Sequence, residues 1–157
     1  ITIIPRGRAA GVTWFLPDES DFRYKDQLLS SLSVAFGGRI AEDLIFNRIS
    51  TGAANDIKQA TNIAHKMVRS WGMSELGPLS YSKDDDQVFL GREITHSKDY
   101  SEDTARKIDE AVENIINSSY QRAEDVLKEN MSLLHKLADM LLDKETVLGA
   151  QLDELKL

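Results

Sequence analysis

The chain contains no cysteine. Disulfides and thiolate metal sites are therefore excluded, and nothing marks a redox compartment. No apolar run approaches the roughly 18–20 residues that a membrane-spanning helix needs. No basic stretch followed by an apolar one marks a leader. Positive charge is scarce: 19 Lys and Arg stand against 26 Asp and Glu, a net charge of −7. General nucleic-acid binding needs a basic surface to displace counterions from phosphate, so nucleic acid is not an expected partner. Internal repeats and low-complexity tracts are also missing.

What remains is a globular composition. Of 157 residues, 41% are hydrophobic and 29% charged, enough for one domain, residues 1–157, around one core. The first residue is Ile1 and it lies in a β-rich run, which reads as a fragment of a longer protein. The expected fold is mainly α, with a small N-terminal β-hairpin and a C-terminal antiparallel helical hairpin.

The hairpin is expected over residues 1–17. Ile1, Thr2, Ile3 and Ile4 are all β-branched, "GVTWFL" repeats that character, and Pro5, Gly7 and Gly11 lie between the two runs. A long helix is expected from Lys25 to Phe46. One stripe is Leu28, Leu32, Ala35 and Phe36; a second is Ile40, Ala41, Leu44 and Ile45. Apolar residues on two sides predict a helix buried within the domain. Gly37 and Gly38 interrupt it at about 1 kcal/mol each relative to alanine, tolerable where another backbone approaches closely. A second helix spans "STGAANDIKQATNIAHKMVRSWG", with Gly72 as its C-terminal cap. Leu79–Tyr81 and Val88–Leu90 are candidate short strands around an acidic turn. Ser101 is suited to cap a third helix running to Glu129. Asn130 starts a fourth, carrying Leu133, Leu134, Leu137, Met140 and Leu141, and residues 101–143 make the helical hairpin. A last turn or short helix is expected in "LGAQLDELKL".

The second helix holds the candidate chemistry. At roughly 100° per residue, Ala53, Ile57, Ala60, Ile63, Ala64, Met67, Val68 and Trp71 share one sector about 140° wide. His65 lies outside it with Lys58, Lys66 and Arg69, and is expected to face solvent. His135 receives the same reading, and His96 falls in a polar loop. Asp56 lies inside the sector, between Ile63 and Met67, the only charged side chain on that face. A buried carboxylate needs a partner. Free N–H groups in the first helical turn would serve, as would Arg39 or a metal ion. One carboxylate alone makes no zinc site. Glu42 in "GGRIAEDLIF" lies in line with the first stripe of the long helix. It would either orient a metal-bound histidine from behind or bond Arg39 or a backbone end.

Six stretches, "TIIPRGRAAGVTWFLP", "GGRIAEDLIF", "STGAANDIKQAT", "MVRSWGMSELGPLSY", "VFLGR" and "SEDTARKID", resemble the FtsH family in this order and cover nearly the whole chain. The resemblance implies a membrane-anchored, ATP-dependent zinc metalloendopeptidase. In that family two histidines of an HExxH helix and the aspartate of the "ND" pair hold Zn2+, which makes Asp56 the third ligand, with the HExxH glutamate as general base. Glu42 matches an acidic position near the metal helix. Polypeptide substrates are implied: unfolded or misassembled membrane proteins and soluble regulatory proteins. An extended substrate would pair with a strand edge, for which Gly11, Val12 and Thr13 are the candidates.

The resemblance also implies a homo-hexamer, or a hetero-hexamer of paralogues. Membrane contact would run through transmembrane helices outside this chain. The expected location is the bacterial inner (plasma) membrane, with this domain on the cytoplasmic side, in preference to an organelle inner membrane. HExxH is absent from this sequence, as is any GxxxxGK[ST] loop. ATP and Mg2+ would therefore bind through a separate ATPase domain, and the chain alone is expected to be inactive. The competing expectation is a non-catalytic helical oligomerisation or interaction module.

Overall fold

A computed structural model of the chain describes residues 1–7, 10–15, 22–81 and 100–155. Five helices follow in order among them: α1 (Lys25–Phe46), α2 (Ala54–Arg69), α3 (Glu102–Glu129), α4 (Met131–Lys144) and α5 (Gly149–Asp153). The architecture is mainly helical. The chain divides into two compact units, Ile1–Phe22 with Val126–Leu157, and Arg23–Asp125.

In the Arg23–Asp125 unit, α1 buries a line of residues spaced four apart, Leu28, Leu32, Phe36 and Ile40. Its entry is held by the Gln27 side chain, which accepts the Tyr24 N–H at 2.9 Å. Of the second expected stripe, only Ile40 is buried. Ala41 and Leu44 are half-buried, Ile45 and Phe46 are exposed, and Val34 is 63% exposed. Among the described residues no element covers that side, and the space where a Cβ would stand at Gly37 and Gly38 is open. α1 therefore lies on this unit with one face inward, a correction to the expectation of burial on two sides.

Helix α2 buries Ala60, Ala64, Met67 and Val68. Ala64 and Val68 join Ile108, Ala111 and Val112 of α3 in one buried cluster, with Leu76, Tyr81 and Tyr100 packed against it. The Phe36 and Tyr120 rings meet at 5.5 Å, linking α1 to α3. α2 stops at Arg69, before the expected glycine. Gly72 instead turns the chain after the helix, at φ 58, where a Cβ would meet the Pro78 Cα at 2.8 Å. Leu79–Tyr81 forms no strand; the Tyr81 N–H is taken by the Arg69 carbonyl at 2.7 Å, which spends it on the end of α2. Val88–Leu90 lies outside the described residues. Ser101 caps α3 as expected, its Oγ accepting the Thr104 N–H at 3.2 Å.

In the other unit, the described part of the expected hairpin is an antiparallel bridge between Thr2 and Val12. Thr2 and Val12 exchange both backbone bonds, each at 2.9 Å. Gly11 permits that approach, since a Cβ there would meet the Thr2 carbonyl oxygen at 2.6 Å. Thr2 also bridges Thr146, and its hydroxyl bonds the Glu145 carbonyl at 3.0 Å. Pairing on both sides is what buries this polar residue. α3 and α4 are joined through Asn130 alone, whose carbonyl accepts the N–H groups of Leu133 and Leu134, both at 3.0 Å. α4 ends where Glu145 adopts φ 58 and its N–H bonds the Leu141 carbonyl. α5 is the short helix expected in the final stretch.

Candidate metal centre

The segment between α1 and α2 is the part of the Arg23–Asp125 unit where the candidate residues meet. Glu42 stands in the last turns of α1, half-buried. Its Oε2 accepts both the backbone N–H of Ser50, at 3.1 Å, and the Ser50 hydroxyl, at 3.0 Å. The Ser50 Oγ in turn accepts the Gly52 N–H at 3.1 Å. This is a serine turn locked by a carboxylate, and it delivers the chain into α2. The Thr51 carbonyl then accepts the Ala54 N–H at 3.1 Å, and the Ala53 carbonyl accepts the Ile57 N–H at 3.0 Å, starting the helix.

Asp56 lies in the first turn of α2. It is exposed, not buried. Its angular sector is the apolar one, but burial along that sector begins a turn later, at Ala60. A helical projection assigns a direction to a side chain and not a depth along the helix. The first-turn position favours a negative charge through the helix dipole. Asp56 forms no ion pair with Arg39, and neither does Glu42. Glu42 bonds a backbone end together with the serine hydroxyl of the same residue, which is one of the alternatives expected for it.

His65 reverses in the opposite sense. It is half-buried, and its Nδ1 is enclosed with no hydrogen-bond partner. The reason is packing: Ala64 beside it and Val68 one turn on are wholly buried against α3, which draws the flank of the helix inward. Arg69, one turn beyond, donates from Nη2 to the Tyr100 hydroxyl at 3.2 Å. His135 is exposed as expected; His96 lies outside the described residues.

Zinc at a catalytic site takes three protein ligands. Among the described residues no three of His, Asp or Glu converge on a point that could hold a metal ion. The residues present fit one corner of such a site: Asp56 offers one hard carboxylate ligand, exposed and, among the described residues, held by no other side chain. In the other unit, Thr2 takes both backbone groups of Val12. The pleat then turns those of Gly11 and Thr13 to the opposite edge. Ser50 was not singled out in the sequence. The available signal was the Ser-Thr-Gly run ahead of a helix, a turn signature that says nothing of which side chain the serine meets.

Among the described residues, the geometry offers a carboxylate at the start of α2 and no complete metal site. Peptidase family M41 matches residues 1–155, and the chain belongs to that family. It is 54% identical over 149 residues to the ATP-dependent zinc metalloprotease FtsH of Myxococcus xanthus, which covers 94% of this chain and 23% of that protein. With the FtsH of Buchnera aphidicola it shares 49% over 159 residues, 99% of this chain and 26% of the relative. With that of Haemophilus influenzae it shares 50% over 159 residues, 99% and 25%. The chain thus spans about a quarter of the length of these curated relatives.

Proposed function

We propose that this chain is part of an ATP-dependent zinc metalloendopeptidase and that Asp56 is its third zinc ligand. The observation that carries the reading is the free Asp56 carboxylate in the first turn of α2, at the end of a loop pinned by Glu42. Family membership and the printed function of the relatives support the metal and the reaction class.

Two histidines and a general-base glutamate from an HExxH segment outside this chain would complete the site. Bound zinc supplies Lewis acidity, polarising a scissile carbonyl and easing deprotonation of water. Asp56 adds one negative charge and one oxygen to the metal's surroundings. Glu42 acts behind it on the loop. The outward edge of Gly11–Thr13 offers backbone N–H and C=O groups that an extended peptide could pair with. ATP and Mg2+ would bind a separate ATPase domain, and a ring of six chains, of one kind or of paralogues, would feed unfolded membrane and soluble proteins to the sites. The reading includes a bacterial inner membrane, this domain on its cytoplasmic side, with anchoring through segments outside this chain. No described helix here is long and apolar enough to cross a membrane.

The test is zinc content and casein degradation by the full-length protein and its Asp56→Ala variant. The expected result is about one zinc per chain in the wild type, with zinc and proteolysis both lost in the variant. Equal zinc in the two proteins removes Asp56 from the site.

A further inference from the structure

Glu42, Ser50 and Gly52 form a directional chain of hydrogen bonds. The Ser50 hydroxyl has one proton, and Glu42 Oε2 receives it at 3.0 Å. The lone pairs of that oxygen are then free to accept the Gly52 N–H, at 3.1 Å. A second bond runs from the Ser50 N–H to the same carboxylate oxygen at 3.1 Å. Bonds to an ionised acceptor are roughly twice as strong as neutral ones, so this carboxylate is a firm anchor. It stands in α1, whose neighbouring turn is packed through the buried Ile40. The anchored serine begins the short segment that ends in the first turn of α2, where Asp56 sits.

We propose that Ser50 is a positioning residue for Asp56. The clasp fixes the loop against α1, and the loop fixes where the first turn of α2 begins. The Asp56 carboxylate is thereby held in one place before any metal arrives. Without the clasp, the exposed segment from Asn47 to Gly52 would leave the start of α2 free to fray, and a ligand on a fraying turn gives up conformational freedom on binding. The inference rests on the reading of Asp56 as a zinc ligand. It differs from a role for Glu42 against the histidines, because the route runs through Ser50 and through backbone.

The experiment uses the full-length protein with Ser50→Ala, Ser50→Thr, Glu42→Gln and Asp56→Ala. Zinc affinity is measured by chelator competition, and amide exchange at Gly52 is followed in the zinc-free protein. Thermal unfolding and the kcat and KM for casein complete the set. Ser50→Ala is expected to weaken zinc by about ten- to a hundred-fold, the usual loss when support behind a ligand is removed. It should lower kcat with KM held, speed Gly52 exchange without metal, and leave the unfolding midpoint near that of the wild type. Ser50→Thr keeps the hydroxyl and should restore affinity and slow exchange. Glu42→Gln is expected to speed Gly52 exchange as well, so the clasp is testable even if Ser50→Ala does not fold. Wild-type zinc affinity in Ser50→Ala, or a loss that Ser50→Thr fails to rescue, overturns the proposal. Retention of zinc by Asp56→Ala sinks the metal-ligand reading instead, whatever Ser50 does.

Discussion

Asp56 and His65 exchange the environments their helical directions imply. Asp56 shares the angular sector of Ala60, Ala64 and Met67, yet stands exposed in the first turn of α2. His65 shares the sector of the lysines, yet its Nδ1 is enclosed and without a partner. The carboxylate is spared the desolvation cost of burial, and the imidazole bears some of it. Replacing an enclosed, unpartnered polar group by an apolar one of similar size is close to neutral or stabilising. His65→Leu is therefore expected to leave unfolding stability unchanged or raise it by up to about 1 kcal/mol. Denaturant unfolding of the two proteins checks this; a clear loss would mean that Nδ1 has a partner in solution.

The start of α3 shows how an element is secured at its end by side chains that bury almost nothing. Ser101 caps the Thr104 N–H. Asp103 pairs with Lys107 at 2.7 Å and with Arg106. The hydrogen bond and charge of Lys107, followed by Arg106, hold the Asp103 carboxyl below its ordinary 3.8, and Asp103 holds Lys107 above its ordinary 10.5. The depressed carboxyl contributes stability that is present above 3.8 and lost as pH falls through its lower folded value. The raised ammonium contributes stability that is present below 10.5 and lost as pH rises through its higher folded value. Both side chains are more than half exposed, so salt screens the pair and the effect is small. With the pH dependence of intrinsic exchange divided out, amide protection at residues 103–107 should fall on acidification below 3.8. Asp103→Asn should abolish that dependence, and about 1 M salt should blunt it. The same exchange profile in wild type and Asp103→Asn would leave the cap alone as the fastening.

At the scale of the whole molecule, the chain is about a quarter of its relatives in length, and on the proposed reading it would supply one ligand of a metal site that takes three. The 157-residue chain by itself is expected to neither retain zinc through dialysis nor degrade casein. Stoichiometric zinc with proteolysis from this chain alone would overturn the assignment of the remaining ligands to a separate segment. The open side of α1 bears on the same division. Val34 and Phe46 are exposed, and open space flanks Gly37 and Gly38. The two stripes were legible in the sequence, but burial follows a single line, Leu28, Leu32, Phe36 and Ile40, drawn from both of them.

The sequence by itself determined the helices, because apolar spacing and the Ser101 cap are local properties of the chain. It also determined family membership, because the match to peptidase family M41 runs over residues 1–155. Depth was decided only by tertiary structure. Whether Asp56 is covered depends on where α2 begins and what packs over its first turn, and no periodicity encodes either. The partner of Glu42 was equally hidden. Ser50 stands eight residues away across a turn, and a carboxylate's choice between Arg39 and a serine turn is made by the path of the loop. The β-branched run at Ile1–Ile4 promised a hairpin; among the described residues Thr2 pairs with Val12 on one side and with Thr146 on the other. Strand pairing joins residues far apart in sequence, and such partners are chosen by the fold.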